Sequence, residues 1–181
     1  MELDTARLRL DALRPQDAEA LFGYRANPGV ARFQGWRPTS IAQAADFIAR
    51  QAGASLARPG GWFQRAIRLR EDGRLIGDLG IRLPGDAEGS VEVGISIAPA
   101  FQAQGYASEA LRAVFERVFA GLGRHRIHAS VDPRNLASMA LLRSLGMRQE
   151  AHFRESLWLR GEWVDDAVFA MLAREWPAHR A

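Results

Sequence analysis

Apolar and polar side chains alternate along residues 7–13, with Leu8, Leu10 and Ala12 on one side and Arg7, Arg9 and Asp11 on the other. A period of two predicts a half-buried strand. Pro15 suits a first helical position and opens a predicted helix to about Ala26, which Asn27-Pro28-Gly29 ends. Ser40-Ile41-Ala42-Gln43 reads as a capping box and predicts a helix to about Ala57, ahead of Pro59-Gly60-Gly61. Residues 62–70 and 74–83 read as two strands around Asp72-Gly73, a strong hairpin signal. Residues 85–90 form a polar turn before the clearest strand, 91–97. There Val91, Val93, Ile95 and Ile97 share one face, and Glu92, Gly94 and Ser96 the other.

After a loop at 99–104, Ala107, Leu111, Val114, Phe115, Val118 and Leu122 recur at helical spacing, which predicts a helix over 105–120. Residues 125–131 read as a strand, and 136–145 as a helix closed by Gly146 in a left-handed cap. Residues 147–159 and 163–173 then pair across Arg160-Gly161-Glu162. The resulting order, β-α-α-β-β-β-α-β-α-β-β, predicts an α/β (α+β) domain around a mixed, mostly antiparallel sheet flanked by helices.

Composition narrows this picture. A chain of 181 residues builds one domain with a proper core and is short for two ordinary ones, so residues 1–181 are expected to be one domain. Cysteine is absent, which excludes disulfides, thiolate metal sites and a cysteine nucleophile. No apolar run approaches the roughly 20 residues of a membrane span, so no membrane partner is expected. Met1-Glu2-Leu3-Asp4-Thr5 lacks the basic-then-apolar order of a signal peptide, so the expected location is cytoplasmic. The basic residues number 24, all arginine, against 21 acids. A net charge of +3 is small for a nucleic-acid binder, and no nucleic-acid partner is expected. His125 and His128, three apart on a strand, face opposite sides and share no metal; no metal site is expected.

The chemistry concentrates in Phe101-Gln102-Ala103-Gln104-Gly105-Tyr106-Ala107-Ser108-Glu109, between a buried strand and an amphipathic helix. Free N–H groups at a helix start attract anions, and small residues let backbone approach phosphate oxygens. The stretch is neither a Walker loop nor a dinucleotide fingerprint. By itself it reads as an ordinary strand-to-helix loop.

Gln102-x-x-Gly105-x-Ala107 resembles the pyrophosphate-binding motif of the GNAT acetyltransferase family. Val91 through Pro99 looks like that family's acetyl-CoA-binding strand. Asp132-Pro133-Arg134-Asn135-Leu136-Ala137-Ser138 and Leu145-Gly146-Met147 are similar to elements of its RimJ/RimL-like branch, which acetylates protein N-termini among other amines. So are Thr5-Ala6-Arg7-Leu8-Arg9-Leu10, Arg32 through Pro38, and the ending from Gly161 to Trp176. Three departures stand out. Gln102-Ala103-Gln104-Gly105 lacks a basic residue that the branch often carries, Met147 replaces a phenylalanine, and Leu142 stands where many members have a tyrosine general acid.

The resemblance implies acetyl-CoA as co-substrate, bound by Ser96, Ile97, Ala98, Gln102, Ala103, Gln104, Gly105, Tyr106, Ala107, Ser108, Asn135 and Ser138. It implies direct transfer to a primary amine: a protein N-terminal α-amine, or a small molecule such as a polyamine, amino acid or aminoglycoside. The acceptor must attack as a neutral amine, so a base must take its proton. Glu92, on the polar face of the central strand, is the best-placed base and also a substrate-binding residue; a plain salt bridge with Arg82 is the alternative. The oxyanion donor is expected at the backbone N–H of Ile97. Ser138 and Asn135 are the candidates for the departing thiolate, at a helix start that favours an anion; Asn135 could equally be only a helix cap. Trp36 borders the expected acceptor site, whereas Trp62, Trp158, Trp163 and Trp176 read as packing residues. Arg68 and Arg70 read as a solvated face. Family members often dimerise, so a homodimer is an expectation too. A CoA-binding module without turnover and an arginine-rich RNA-associated protein are the competing readings.

Overall fold

The computed structural model describes residues 1–55, 61–83 and 89–179. Leu3–Asp4 (β1) and Leu8–Asp11 (β2) lead to a 3-10 turn, Pro15–Asp17, and to helices Ala18–Arg25 (α1), Pro28–Ala31 (α2) and Ile41–Gln51 (α3). Trp62–Leu69 (β3), Leu75–Arg82 (β4) and Ser90–Ile97 (β5) follow, then helix Tyr106–Glu116 (α4), which runs on as a π turn, Arg117–Gly121. Arg126–Val131 (β6), Leu136–Ser144 (α5), Arg148–Leu159 (β7) and Glu162–Leu172 (β8) complete the fold, with a closing 3-10 segment, Ala173–His179. The strands form one sheet in the order β1-β2-β3-β4-β5-β6-β8-β7. Only β5 and β6 are parallel, because α4 carries the chain back across one face between them. No described helix is long and apolar enough to cross a membrane.

The two faces are covered separately. Leu111, Val114 and Phe115 of α4, Val118 of the π turn, and Met139 and Leu142 of α5 pack against Ile81, Val91, Val93, Ile127 and Phe169. On the other face Ala18, Leu21 and Tyr24 of α1 and Ala44 and Ile48 of α3 close over Ala66 and Leu75. Burying such side chains contributes roughly 1.5–3 kcal/mol each, which offsets the entropy of ordering the sheet.

Several local expectations are corrected. Ala12 is exposed and Asp11 is buried, the reverse of simple alternation, because Asp11 accepts a hydrogen bond from Arg68 Nε at 2.7 Å. Arg68 is 5% exposed and also binds Asp17, so it is a buried ion-pair centre; only Arg70 of that pair is solvated. The Asn27-Pro28-Gly29 breaker instead starts α2, with Asn27 capping Gly29 N–H. Ser40 caps α3 as read, but Gln43 reaches back to Thr39 N–H rather than to the cap residue itself. Helix α3 ends at Gln51; Ala57, Pro59-Gly60 and the start of the polar turn at Gly85 lie outside the described residues. Of the four tryptophans read as packing residues, Trp176 is in the core, whereas Trp62, Trp158 and Trp163 are 39%, 61% and 58% exposed.

The sheet opens earlier than its sequence suggests. The family resemblance implies a split near residues 97–99, to admit the pantetheine arm of CoA. Instead, β5 and β6 pair only from Ser90↔Arg126 to Glu92↔His128, while β4 stays paired with β5 to Ile97. The strands therefore part from Val93 onward.

Candidate active site

A cavity of about 390 Å³ occupies this opening. Glu92 and Gly94 of β5, Asn135 at the cap of α5, Ser138 within it, Trp62 of β3 and Trp158 of β7 line it. A second cavity of about 330 Å³ shares Gln34, Gly35, Trp62 and Gly94 with the first and adds Arg25, Trp36 and Phe47. The sheet face on that side carries Gly80 and Gly94 at paired positions. A Cβ on Gly80 would stand 2.7 Å from the Trp62 ring, so the glycine leaves room for the indole to lie flat across the strands.

The electrostatics are mostly neutralised pairs. Arg82 Nε donates to Glu92 Oε2 at 2.8 Å, and its Nη2 makes a second contact with the same oxygen. His128, directly beside Glu92 in register, has Nε2 4.0 Å from that oxygen and Nδ1 3.1 Å from Ser90 Oγ. Burial pushes the His128 imidazole below its ordinary value, against the opposing pull of Glu92. Deeper in, Asp78 is fully buried and accepts from Tyr24 Oη at 2.7 Å and from Arg25 Nε at 2.9 Å, with Gln64 as a further donor. Burial, then the Asp78 charge, raises the Tyr24 phenol well above its usual range. On the α5 side, burial opposes the charge of Asp132, but the side chain and backbone N–H of Arg134 overcome it and hold that carboxyl low.

The loop ahead of α4 is coiled by two left-handed residues, Ala103 at φ 57° and Gly105 at φ 82°. The first helical bond runs from Glu109 N–H to the Gly105 carbonyl, and no side chain caps the helix. The N–H groups of Tyr106, Ala107 and Ser108 are thus left for an anion. Gln102 Nε2 donates to the Ile97 carbonyl at 2.8 Å. Ala98 N–H bonds the Ile76 carbonyl of β4. Successive N–H groups of a strand point to opposite edges, so Ile97 N–H faces the edge that β6 has left.

A family description, acetyltransferase (GNAT) domain, matches residues 7–148. The chain belongs to the GNAT acetyltransferase family. It is 31% identical over 175 residues to the uncharacterized N-acetyltransferase p20 of Bacillus licheniformis, covering 96% of this chain and 97% of the relative. It is 32% identical over 88 residues to the [ribosomal protein uS5]-alanine N-acetyltransferase of Escherichia coli (strain K12), covering 49% of this chain and 45% of that one. Mycobacterium smegmatis RimJ in complex with CoA-disulfide superimposes with a TM-score of 0.81 at 25% identity, covering 96% of this chain and 87% of that one. The RimJ/RimL-like resemblance and the mixed-sheet fold are both borne out, and the chain is a GNAT-family N-acetyltransferase.

Within this GNAT fold, the candidates fall into three places. Glu92, Asn135 and Ser138 meet on the larger cavity. Trp36 lines the smaller one, stacked on Phe47 at 4.4 Å. Ser96, Ile97, Ala98 and the residues from Gln102 to Ser108 line neither. Ser96 is buried with its hydroxyl unpartnered, and it pairs in register with Asp78 on the α1 side of the sheet. Asn135 Oδ1 accepts Ser138 N–H at 3.1 Å, so it caps α5 while facing the cavity. Both readings of Glu92 hold geometrically: it is paired with Arg82 and it faces the cavity. Sequence reading missed Trp62, Gln34 and Trp158 as cavity walls. Two strand glycines, Gly80 and Gly94, were the available signal for Trp62.

Proposed function

We propose that the chain acetylates a primary amine directly from acetyl-CoA, and that the acceptor is the α-amine of a protein or peptide. The cavity between the parted strands carries this reading, because it joins Glu92 on one wall to Ser138 on the other. Acetyl-CoA would supply the thioester, its diphosphate held at the start of α4. Residues fit such a group: unused N–H groups meet a loop of small residues. Among the described residues the larger cavity is lined by Glu92, Asp132 and Asp165, each paired with a basic side chain outside the lining, Arg82, Arg134 and His152.

Glu92 takes the proton from that ammonium, and Arg82 keeps its carboxylate in place. The amine nitrogen bonds the carbonyl carbon as the carbon–sulfur bond breaks. Ile97 N–H donates to the carbonyl oxygen as charge gathers there. The departing sulfur takes the second proton that the nitrogen sheds on becoming an amide, relayed by the Ser138 hydroxyl, and Asn135 positions Ser138 by fixing the first turn of α5. The ribosomal-protein alanine relative and the exposed aromatic rim at Trp158 and Trp163 support a peptide acceptor.

Thiol release with a disulfide reagent tests this, since the chain contributes no cysteine. Release with short peptides, and not with polyamines, free amino acids or aminoglycosides, is the expected result. Release only with a small amine would reassign the acceptor. Silence across the panel, with acetyl-CoA still raising the Tm, would mark a binding module instead.

A further inference from the structure

The loop from Gln102 to Ser108 carries no basic side chain. The fold brings one to it from almost 100 residues away, since Arg7 Nη1 donates to the Gln104 carbonyl at 3.1 Å with a sequence separation of 97. The Arg7 guanidinium carbon lies 4.4 Å from the centre of the Tyr106 ring. Its Nη2 stands 3.3 Å from where a Cβ on Gly105 would be. One cation therefore meets three consecutive residues of the loop.

That placement is enforced. Arg7 Nε donates to Glu109 Oε2 at 2.7 Å, and the other carboxylate oxygen accepts Arg7 backbone N–H at 2.8 Å and Thr5 Oγ1 at 2.5 Å. Partial burial opposes the Glu109 charge, but these donors hold its carboxyl below the usual range. The Arg7 side chain is nonetheless 47% exposed; Nε and Nη1 are both engaged, so the outer edge left for a ligand is Nη2. A cation at a helix N-terminus is unfavourable alone, because that end already carries partial positive charge. Glu109 offsets one charge. The unused N–H groups of Tyr106, Ala107 and Ser108 and the outer guanidinium edge still favour a further anion.

We propose that Arg7 is the cationic contact for the diphosphate of the acyl-CoA substrate, taking the place of a basic residue within the loop. This rests on the loop being the CoA subsite. A guanidinium matches phosphate geometry with paired donors, and it is always charged. The N-terminal turn, not the loop sequence, then sets part of the affinity for CoA.

Titration of the intact protein with CoA tests the proposal, comparing the natural chain with Arg7→Gln and Arg7→Lys. Loss of one charged contact is expected to raise the Kd for CoA about tenfold in Arg7→Gln. Arg7→Lys, which keeps the charge, should stay within about threefold. The inhibition constant of pantetheine, which has no phosphate, should hold in both. An unchanged Kd for CoA in Arg7→Gln overturns the proposal. So does an equal weakening of CoA and pantetheine, which marks a purely structural role. If Arg7→Gln does not fold, phenylglyoxal labelling of the natural chain decides: CoA should shield the peptide carrying Arg7 and pantetheine should not, and equal labelling overturns the proposal. A natural chain that binds no CoA removes the reading of the loop as well, whereas tight CoA binding indifferent to Arg7 removes this inference alone.

Discussion

Asp78 shows how one buried charge organises the face of the sheet beneath α1. It is fully buried and gathers Tyr24, Arg25 and Gln64, and Arg25 is itself 6% exposed. Removing the carboxylate charge strands a buried guanidinium. Asp78→Asn should therefore lose about 3–5 kcal/mol in urea denaturation, and a loss under about 1 kcal/mol would mean the site relaxes or floods. Ser138 makes a separate residue-scale prediction. Ser138→Ala should lower kcat far more than it weakens acetyl-CoA binding, and matched losses would give Ser138 a binding role instead. His128 predicts a pH effect. Its folded pKa is depressed, so as pH falls below the ordinary 6.5 the unfolded chain takes a proton that the folded chain resists. Stability should drop as pH falls from 6.5 toward the folded value, and His128→Gln should remove that slope in melts at pH 5–7.

At the scale of elements, glycines decide where strands and helices can come close. Gly105 holds φ 82° at the start of α4 beside Arg7. Gly105→Ala should cost about 1–2 kcal/mol of backbone strain, measured by denaturation, and should weaken acetyl-CoA binding as well. Gly80 works differently, by leaving space for Trp62. Gly80→Ala should displace the indole and raise the KM of the acceptor several-fold while the KM of acetyl-CoA holds; steady-state kinetics in each substrate separate the two. The first helix was legible from Pro15 near its start, and the α4 stripe because its period reflects the core it serves. Helix α2 was not, because a four-residue helix has no period to read and its start signal doubles as a stop.

The whole molecule is a sheet in which β5 pairs over six rungs on one side, through Ile97, and over three on the other. That asymmetry makes the cavity. Its far wall depends on the β7–β8 hairpin, whose turn residue Arg160 donates from Nη2 to the Gln34 carbonyl at 2.7 Å. The contact ties the hairpin to the loop between α2 and α3, whose Gln34 lines the cavity. Arg160→Ala should loosen this closure and raise the acceptor KM with little change in Tm, and unaltered acceptor kinetics would remove the hairpin from substrate binding.

The amino-acid sequence by itself determined which segments become strands and long helices, because burial on one face imposes a period of two or of 3.6. It also brought out Gln102, Gly105, Asn135 and Ser138, whose spacing along one loop or helix turn is a local property. Tertiary structure alone decided that Asp11 and Arg68 are buried, because each is tolerable only beside the other. It alone decided that β6 leaves β5 after Glu92, that Trp62 forms a cavity wall, and that Arg7 stands over a loop nearly 100 residues away. These are pairings between distant segments, and no period or short motif in a single chain encodes which distant partner will arrive.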